Sequence, residues 1–307
     1  MEQFSRARHM DVSNTVDVTN PKVVAAEVRG ILTRRYPRYD FSAIAVLVDD
    51  FARLYAGSFP GFRACDIPYH DSHHVLDVTL AMVRLLDGYE AAPGAAGPLG
   101  PELALAGLAA ALFHDSGYIR RTRDTRHKNG AAYTRVHVRR SARFLADYLP
   151  AVGLQALSGA ATRIVYFTGY ESDTRELPAG SEQERCLGTL LGTADLIAQL
   201  ADVDYVRKCR DHLYKEFEVG GIAGELGRGN HDGTLFRTPD QLLESTPDFI
   251  RKTIEYRLDG EFGGVHHCAA RYFGGRNLYM DAILENFRQL QSLLADANPA
   301  LNISRQP

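Results

Sequence analysis

The stretch Tyr69-His70-Asp71-Ser72-His73-His74-Val75-Leu76-Asp77-Val78 carries three imidazoles within five positions, directly ahead of an apolar run that includes Leu80, Val83, Leu85 and Leu86. Helical spacing predicts His70, His74 and Asp77 on one face, because residues three and four apart stack over each other. His73 then points elsewhere. Two imidazoles and a carboxylate turned into a core need a partner that offsets the cost of their burial, and a metal ion is the usual one. Its other ligands must come from the rest of the chain.

The elements that have to position such a site read as helices. Asn20-Pro21 caps a first helix that stops before Pro37, and Ser42 is the expected cap of a second. The histidine helix follows the loop from Pro60 to Pro68. Ala91 to Pro101 is a Gly/Ala/Pro connection, and Glu102 to His114 is apolar nearly all round, so it is predicted as a buried helix. Further helices are expected at Gly130 to Leu149, Leu154 to Phe167, Glu182 to Leu200, Asp202 to Val219, Leu242 to Leu258 and Asn277 to Leu294. Gly220 to Asp240 is glycine-rich and reads as a long surface excursion. No alternating strand run and no internal repeat is present. The expectation is an all-α fold of about ten helices, with residues 1–20 as a flexible lead-in and a single domain over 21–300.

Bulk properties narrow the function. With 35 Lys and Arg against 38 Asp and Glu, the net charge of −3 carries no nucleic-acid or membrane footprint. The longest apolar run, Leu103 to Phe113, falls far short of the ~20 residues that span a bilayer. Four scattered cysteines without a CxxC pair, and an N-terminus without an apolar signal segment, predict a cytoplasmic, reducing environment.

His74, the His114-Asp115 dipeptide, and Asp195 about eighty residues further on, each on a separate predicted helix, follow the order of the HD hydrolase superfamily, which this chain resembles. The dipeptide alone is weak, since His231-Asp232 also occurs in the glycine-rich stretch. The resemblance extends to the class I cyclic-nucleotide phosphodiesterases, whose YHNxxHxxDV signature is similar to Tyr69-His70-Asp71-x-x-His74-x-x-Asp77-Val78. It implies that His74, His114, Asp115 and Asp195 hold one divalent ion, with mixed nitrogen and oxygen donors suited to Zn, Mn or Fe, and that Asp115 bridges to a second ion (Zn, Mn, Mg or Fe), held otherwise mostly by water. It implies His70 as general acid, oriented by Glu216 of the Tyr214-Lys215-Glu216-Phe217 segment, and Thr168 and His137 as residues around the ligands. Asp77 is expected to anchor a ligand histidine. Ser245-Thr246-Pro247-Asp248-Phe249-Ile250 resembles the family's SQxGFI segment, so Thr246, Phe249 and Tyr69 are expected to bind substrate. Three departures stand out: Asp71 for asparagine, Tyr118 where HDxxH has a histidine, and Thr246 for glutamine.

The reaction implied is hydrolysis of a phosphodiester in a small molecule, foremost a cyclic nucleotide, by hydroxide held on the ions with a histidine general acid. The alternatives are an HD-type nucleotide phosphomonoesterase, a mixed-valent di-iron oxygenase of the same fold, and a degenerate regulatory binding module. The oxygenase wants more histidines, and none lies between His137 and Asp195. Intact ligands and His70 argue against the binding module. The expected partner is a small phosphorylated substrate, with no nucleic acid and no membrane; homodimerisation is left open.

Overall fold

In the computed structural model, which describes residues 6–169, 173–223 and 236–297, Asn20 caps α1 (Pro21–Arg35) by accepting the Lys22 N–H. The helix α2 (Ala43–Tyr55) follows, but Ser42 does not cap it: its hydroxyl donates to Asp40 instead. Then come α3 (Ser72–Glu90) and α4 (Gly100–Phe113). Next are α5 (His137–Ala151), α6 (Gln155–Ile164) and α7 (Glu182–Ala201). The chain closes with α8 (Tyr205–Lys208), α9 (Tyr214–Val219), α10 (Pro239–Lys252), α11 (Cys268–Tyr272) and α12 (Leu278–Ala297). Among the described residues there is no strand, only three isolated bridges. The all-α expectation holds.

Helix α3 is the axis. It packs on α1, α4, α7 and α11, and its side chains from His74 to Leu86 are buried apart from Asp77. A helix covered on every side must be apolar on every side, and the polar residues it does carry stand out as functional or paired. One main hydrophobic cluster joins residues from Val16 to Leu290.

Several expectations are corrected. Residues 6–20 are not a loose lead-in. Val16 and Val18 are buried, and Asp11, fully buried, pairs with the buried Arg84 of α3 at 2.7 Å. Arg84 also donates to the Tyr279 hydroxyl at 3.2 Å and lies over the rings of Tyr272 and Phe273, so the N-terminal segment is locked to α3, α11 and α12. The helix expected over Gly130 to Leu149 is a 3₁₀ turn (Gly130–Tyr133) followed by α5. The helix expected from Asp202 to Val219 is interrupted by a π-helical turn (Cys209–Leu213) between α8 and α9, and the one from Leu242 runs into a nine-residue π-helix (Thr253–Glu261). Periodicity of 3.6 cannot reveal these wider turns, which leave the apolar pattern nearly intact. Most of the glycine-rich excursion, with His231-Asp232, lies outside the described residues.

Candidate metal centre

Helix α4 is apolar to its end, so the carbonyls of its last turn need donors from the polar residues that follow. Ser116 Oγ donates to Phe113 O at 2.7 Å, and His114 Nδ1 donates to Ala111 O at 2.7 Å. The second bond fixes the tautomer of His114 and leaves the Nε2 lone pair facing inward. Asp115 follows before a 3₁₀ turn (Ser116–Tyr118). That turn is strapped to α5: Ser141 Oγ accepts the Gly117 N–H at 2.8 Å, and Arg140 donates to Gly117 O and Ile119 O. A Cβ at Gly117 would lie 1.9 Å from His137 O, so only glycine permits this approach.

Three elements thus bring four atoms together. His74 Nε2 lies 3.2 Å from Asp195 Oδ1 and 3.6 Å from Asp115 Oδ2. His114 Nε2 lies 3.3 Å from Asp115 Oδ2 and 3.6 Å from Asp195 Oδ1. His114 Nε2 and Asp115 Oδ2 are buried without a hydrogen-bond partner. Ligands about 2.0–2.2 Å from a shared ion stand roughly 3.0–3.6 Å apart. The separations match, the donors are those a borderline divalent ion takes, and the buried orphan atoms are the groups it would satisfy. The residues fit a metal ion. Asp115 meets a third histidine on its other oxygen, His137 Nε2 at 3.8 Å from Oδ1, while His137 Nδ1 donates to Thr134 O at 2.6 Å.

His70 is not on α3. The helix starts at Ser72, and Asp71 is its N-cap, accepting the His74 N–H at 3.0 Å. The carboxylate in place of asparagine is therefore a helix cap, favoured there by the helix dipole. His70 reaches the site from the preceding loop, held by Glu216 Oε2 at 2.6 Å from its Nδ1. Glu216 is buried, and its Oε1 accepts the Tyr69 N–H at 2.6 Å. Burial opposes a charge on His70, but Glu216 and then Asp115 outweigh it and raise its pKa to about 9.

The remaining expected residues divide. Tyr69 is buried and donates to Gln199 Oε1 at 3.1 Å. Thr246 is buried with its hydroxyl donated to Leu242 O, Thr168 donates to Val165 O, and Phe249 is half-buried; all three line one cavity of about 590 Å³ together with His70, Asp115 and Asp195. Asp77 is a correction. It makes no hydrogen bond to a ligand histidine among the described residues. Its Oδ1 is buried without a partner, and its charged neighbours are Arg6, Asp202, Asp11 and Arg84, on the side of α3 that faces the N-terminal segment. His73 likewise stands apart, beside Lys208 and Asp202.

Sequence reasoning flagged Tyr118 only as a missing histidine. Its ring stacks between His70 (centroids 4.6 Å apart) and His137 (4.3 Å), so it is the spacer that holds both imidazoles. Gln199 and Arg257, also on the cavity wall, carried no motif; one helical turn from Asp195 was the only signal for Gln199.

The chain aligns in structure with the phosphodiesterase domain of the RhoPDE fusion protein from the choanoflagellate Salpingoeca rosetta, with a TM-score of 0.58 over 96% of each chain and 16% identity. The fold is that of a phosphodiesterase domain. No family model and no curated protein matches the sequence. At this identity the likeness speaks for the fold, and the chemistry rests on the site's own residues. Among the described residues no single helix is long and apolar enough to cross a membrane.

Proposed function

We propose that this protein is a metal-dependent hydrolase of a phosphodiester in a small nucleotide, foremost a cyclic nucleotide. The observation that carries this reading is the Glu216–His70 pair beside the His74/His114/Asp115/Asp195 cluster, with His70, Asp115 and Asp195 lining one cavity. A divalent ion held by those four residues would make a bound water acidic enough to attack at neutral pH and would neutralise charge on the phosphoryl oxygens. A second ion, if bound, would be held by Asp115, whose other oxygen lies 3.8 Å from His137 Nε2.

The chain's own residues do the rest. Breaking a phosphate ester releases an alkoxide that needs a proton. Glu216 holds His70 by Nδ1 and favours its charged form, which leaves Nε2 as the proton-bearing atom for the leaving oxygen. Tyr118 limits the tilt of that ring by stacking on it. Thr246 spends its hydroxyl on its own helix and offers the substrate no carboxamide; Gln199, which also lines the cavity, has its Oε1 taken by the Tyr69 hydroxyl. Base preference is then not set by a free two-way amide at Thr246 or Gln199.

The test is turnover with Zn, Mn, Mg or Fe of a panel of 3′,5′- and 2′,3′-cyclic nucleotides, linear dinucleotides and monoesters. Diester opening that is lost in His70→Ala supports the proposal. Hydrolysis of monoesters alone would replace it with the phosphomonoesterase reading, and no hydrolysis with any metal would overturn it.

A further inference from the structure

Asp259, His266 and His267 lie far along the chain from the cluster at His74 and share no residue with it. Asp259 lies in the last turn of the π-helix, and His266-His267 ends the 3₁₀ turn (Val265–His267) that leads into α11. Gly263 and Gly264 both take left-handed backbone (φ 64° and 72°), which folds the segment back so that one ligand atom of each residue lies within 4.8 Å of the others. His266 Nε2 is 3.6 Å from Asp259 Oδ1, too long for a hydrogen bond and close to the roughly 3.3 Å between neighbouring ligands on a tetrahedral zinc.

His266 is 2% exposed, and its Nδ1 is buried with no hydrogen-bond partner. A buried imidazole unsatisfied at Nδ1 has Nε2 as its remaining polar outlet, the nitrogen turned towards Asp259. The rings of His266 and His267 are 4.0 Å apart by their centroids, so the two imidazoles are held side by side. Two imidazoles and a carboxylate, two of the three groups reachable from solvent, are the donor set of a three-residue zinc site completed by water.

We propose that Asp259, His266 and His267 form a second cation site, for Zn²⁺ or another borderline divalent ion, that clips the end of the π-helix to the start of α11. The clip bears on the cavity. The same π-helix carries Arg257, which lines the cavity wall and donates to Gly169 O at 2.7 Å.

The test uses the full chain, stripped with chelator, reloaded with Zn²⁺ and dialysed, with zinc counted by mass spectrometry. Asp259→Asn/His267→Ala alters only exposed side chains and should bind one equivalent less than wild type, with a smaller rise in Tm on zinc addition. His114→Ala should keep that equivalent, and in Co²⁺-loaded protein it should keep the intense visible bands of a tetrahedral ion, which the Asp259→Asn/His267→Ala changes abolish. Equal zinc content in wild type and Asp259→Asn/His267→Ala would overturn the proposal. That comparison decides the matter even if His114→Ala fails to fold.

Discussion

Glu216 grips two consecutive residues at once: one carboxylate oxygen is 2.6 Å from His70 Nδ1, and the other accepts the backbone N–H of Tyr69 at the same distance. The carboxylate is buried and comes from α9, almost 150 residues further along the chain, so the ring of His70 is aimed by tertiary structure alone. His70→Ala is expected to keep the metal content of wild type while turnover falls roughly 10²–10⁴-fold. Loss of metal together with activity would reassign His70 as a ligand.

The same pair sets a pH dependence. The pKa of His70 is raised from 6.5 to about 9, so the folded state binds this proton more tightly than the unfolded one. The resulting stability is complete below pH 6.5 and is lost as pH rises through 9. A proton donor with this pKa gives kcat an alkaline limb near 9, which positive ions held at Asp115 would draw lower. Glu216→Gln should shift that limb downward; a pH–rate profile with the same limb in both proteins would remove Glu216 from this role.

Metal removal should destabilise the fold, because His114 Nε2 and Asp115 Oδ2 then stay buried without partners. Chelator is expected to lower Tm, and an ion at a hundred times its Kd to restore about 2.7 kcal/mol. His114→Ala should show no metal-dependent shift from this centre, which calorimetry with Mn²⁺ would measure.

Gly117→Ala puts a methyl group 1.9 Å from the His137 carbonyl oxygen and 2.7 Å from its carbon. Backbone on both sides has to yield, at about 1–3 kcal/mol, and the displaced elements carry Tyr118 and His137. Stability by denaturant and turnover should fall together. A variant as stable and active as wild type would mean that the 3₁₀ turn does not need this approach.

Asp77 offers a test away from the cavity. Burial raises its pKa from 3.8 to about 7. The folded state again prefers the proton, so stability present below pH 3.8 is lost as pH rises towards 7, and a buried charge is carried above that. Asp77→Asn should therefore stabilise the protein at pH 8 by on the order of 1–2 kcal/mol and change little near pH 4. Chemical denaturation at the two pH values measures it. Destabilisation at pH 8 would mean that Arg6 or Arg84 depends on the carboxylate.

Composition and periodicity determined by themselves that this chain is all-helical, because apolar residues recur at helical spacing and no run alternates. The four residues proposed as ligands, His74, His114, Asp115 and Asp195, were singled out by their order along the chain, which resembles that of the HD superfamily, and the structure brings their side chains together. Only the tertiary structure decided how they are used. His70 looked like a helix residue stacked over His74, yet the cap at Asp71 starts the helix two residues after it, and Glu216 holds it in place. Asp77 shares α3 with His74, but α3 is packed on several sides, so sequence spacing could not tell which side faced the cluster. Tyr118 between two imidazoles, and Asp11 beneath Arg84, arise from contacts across the chain. Sequence carries local periodicity; which buried polar group meets which partner is fixed by the packing of distant elements, where an unmatched charge costs too much to leave unpaired.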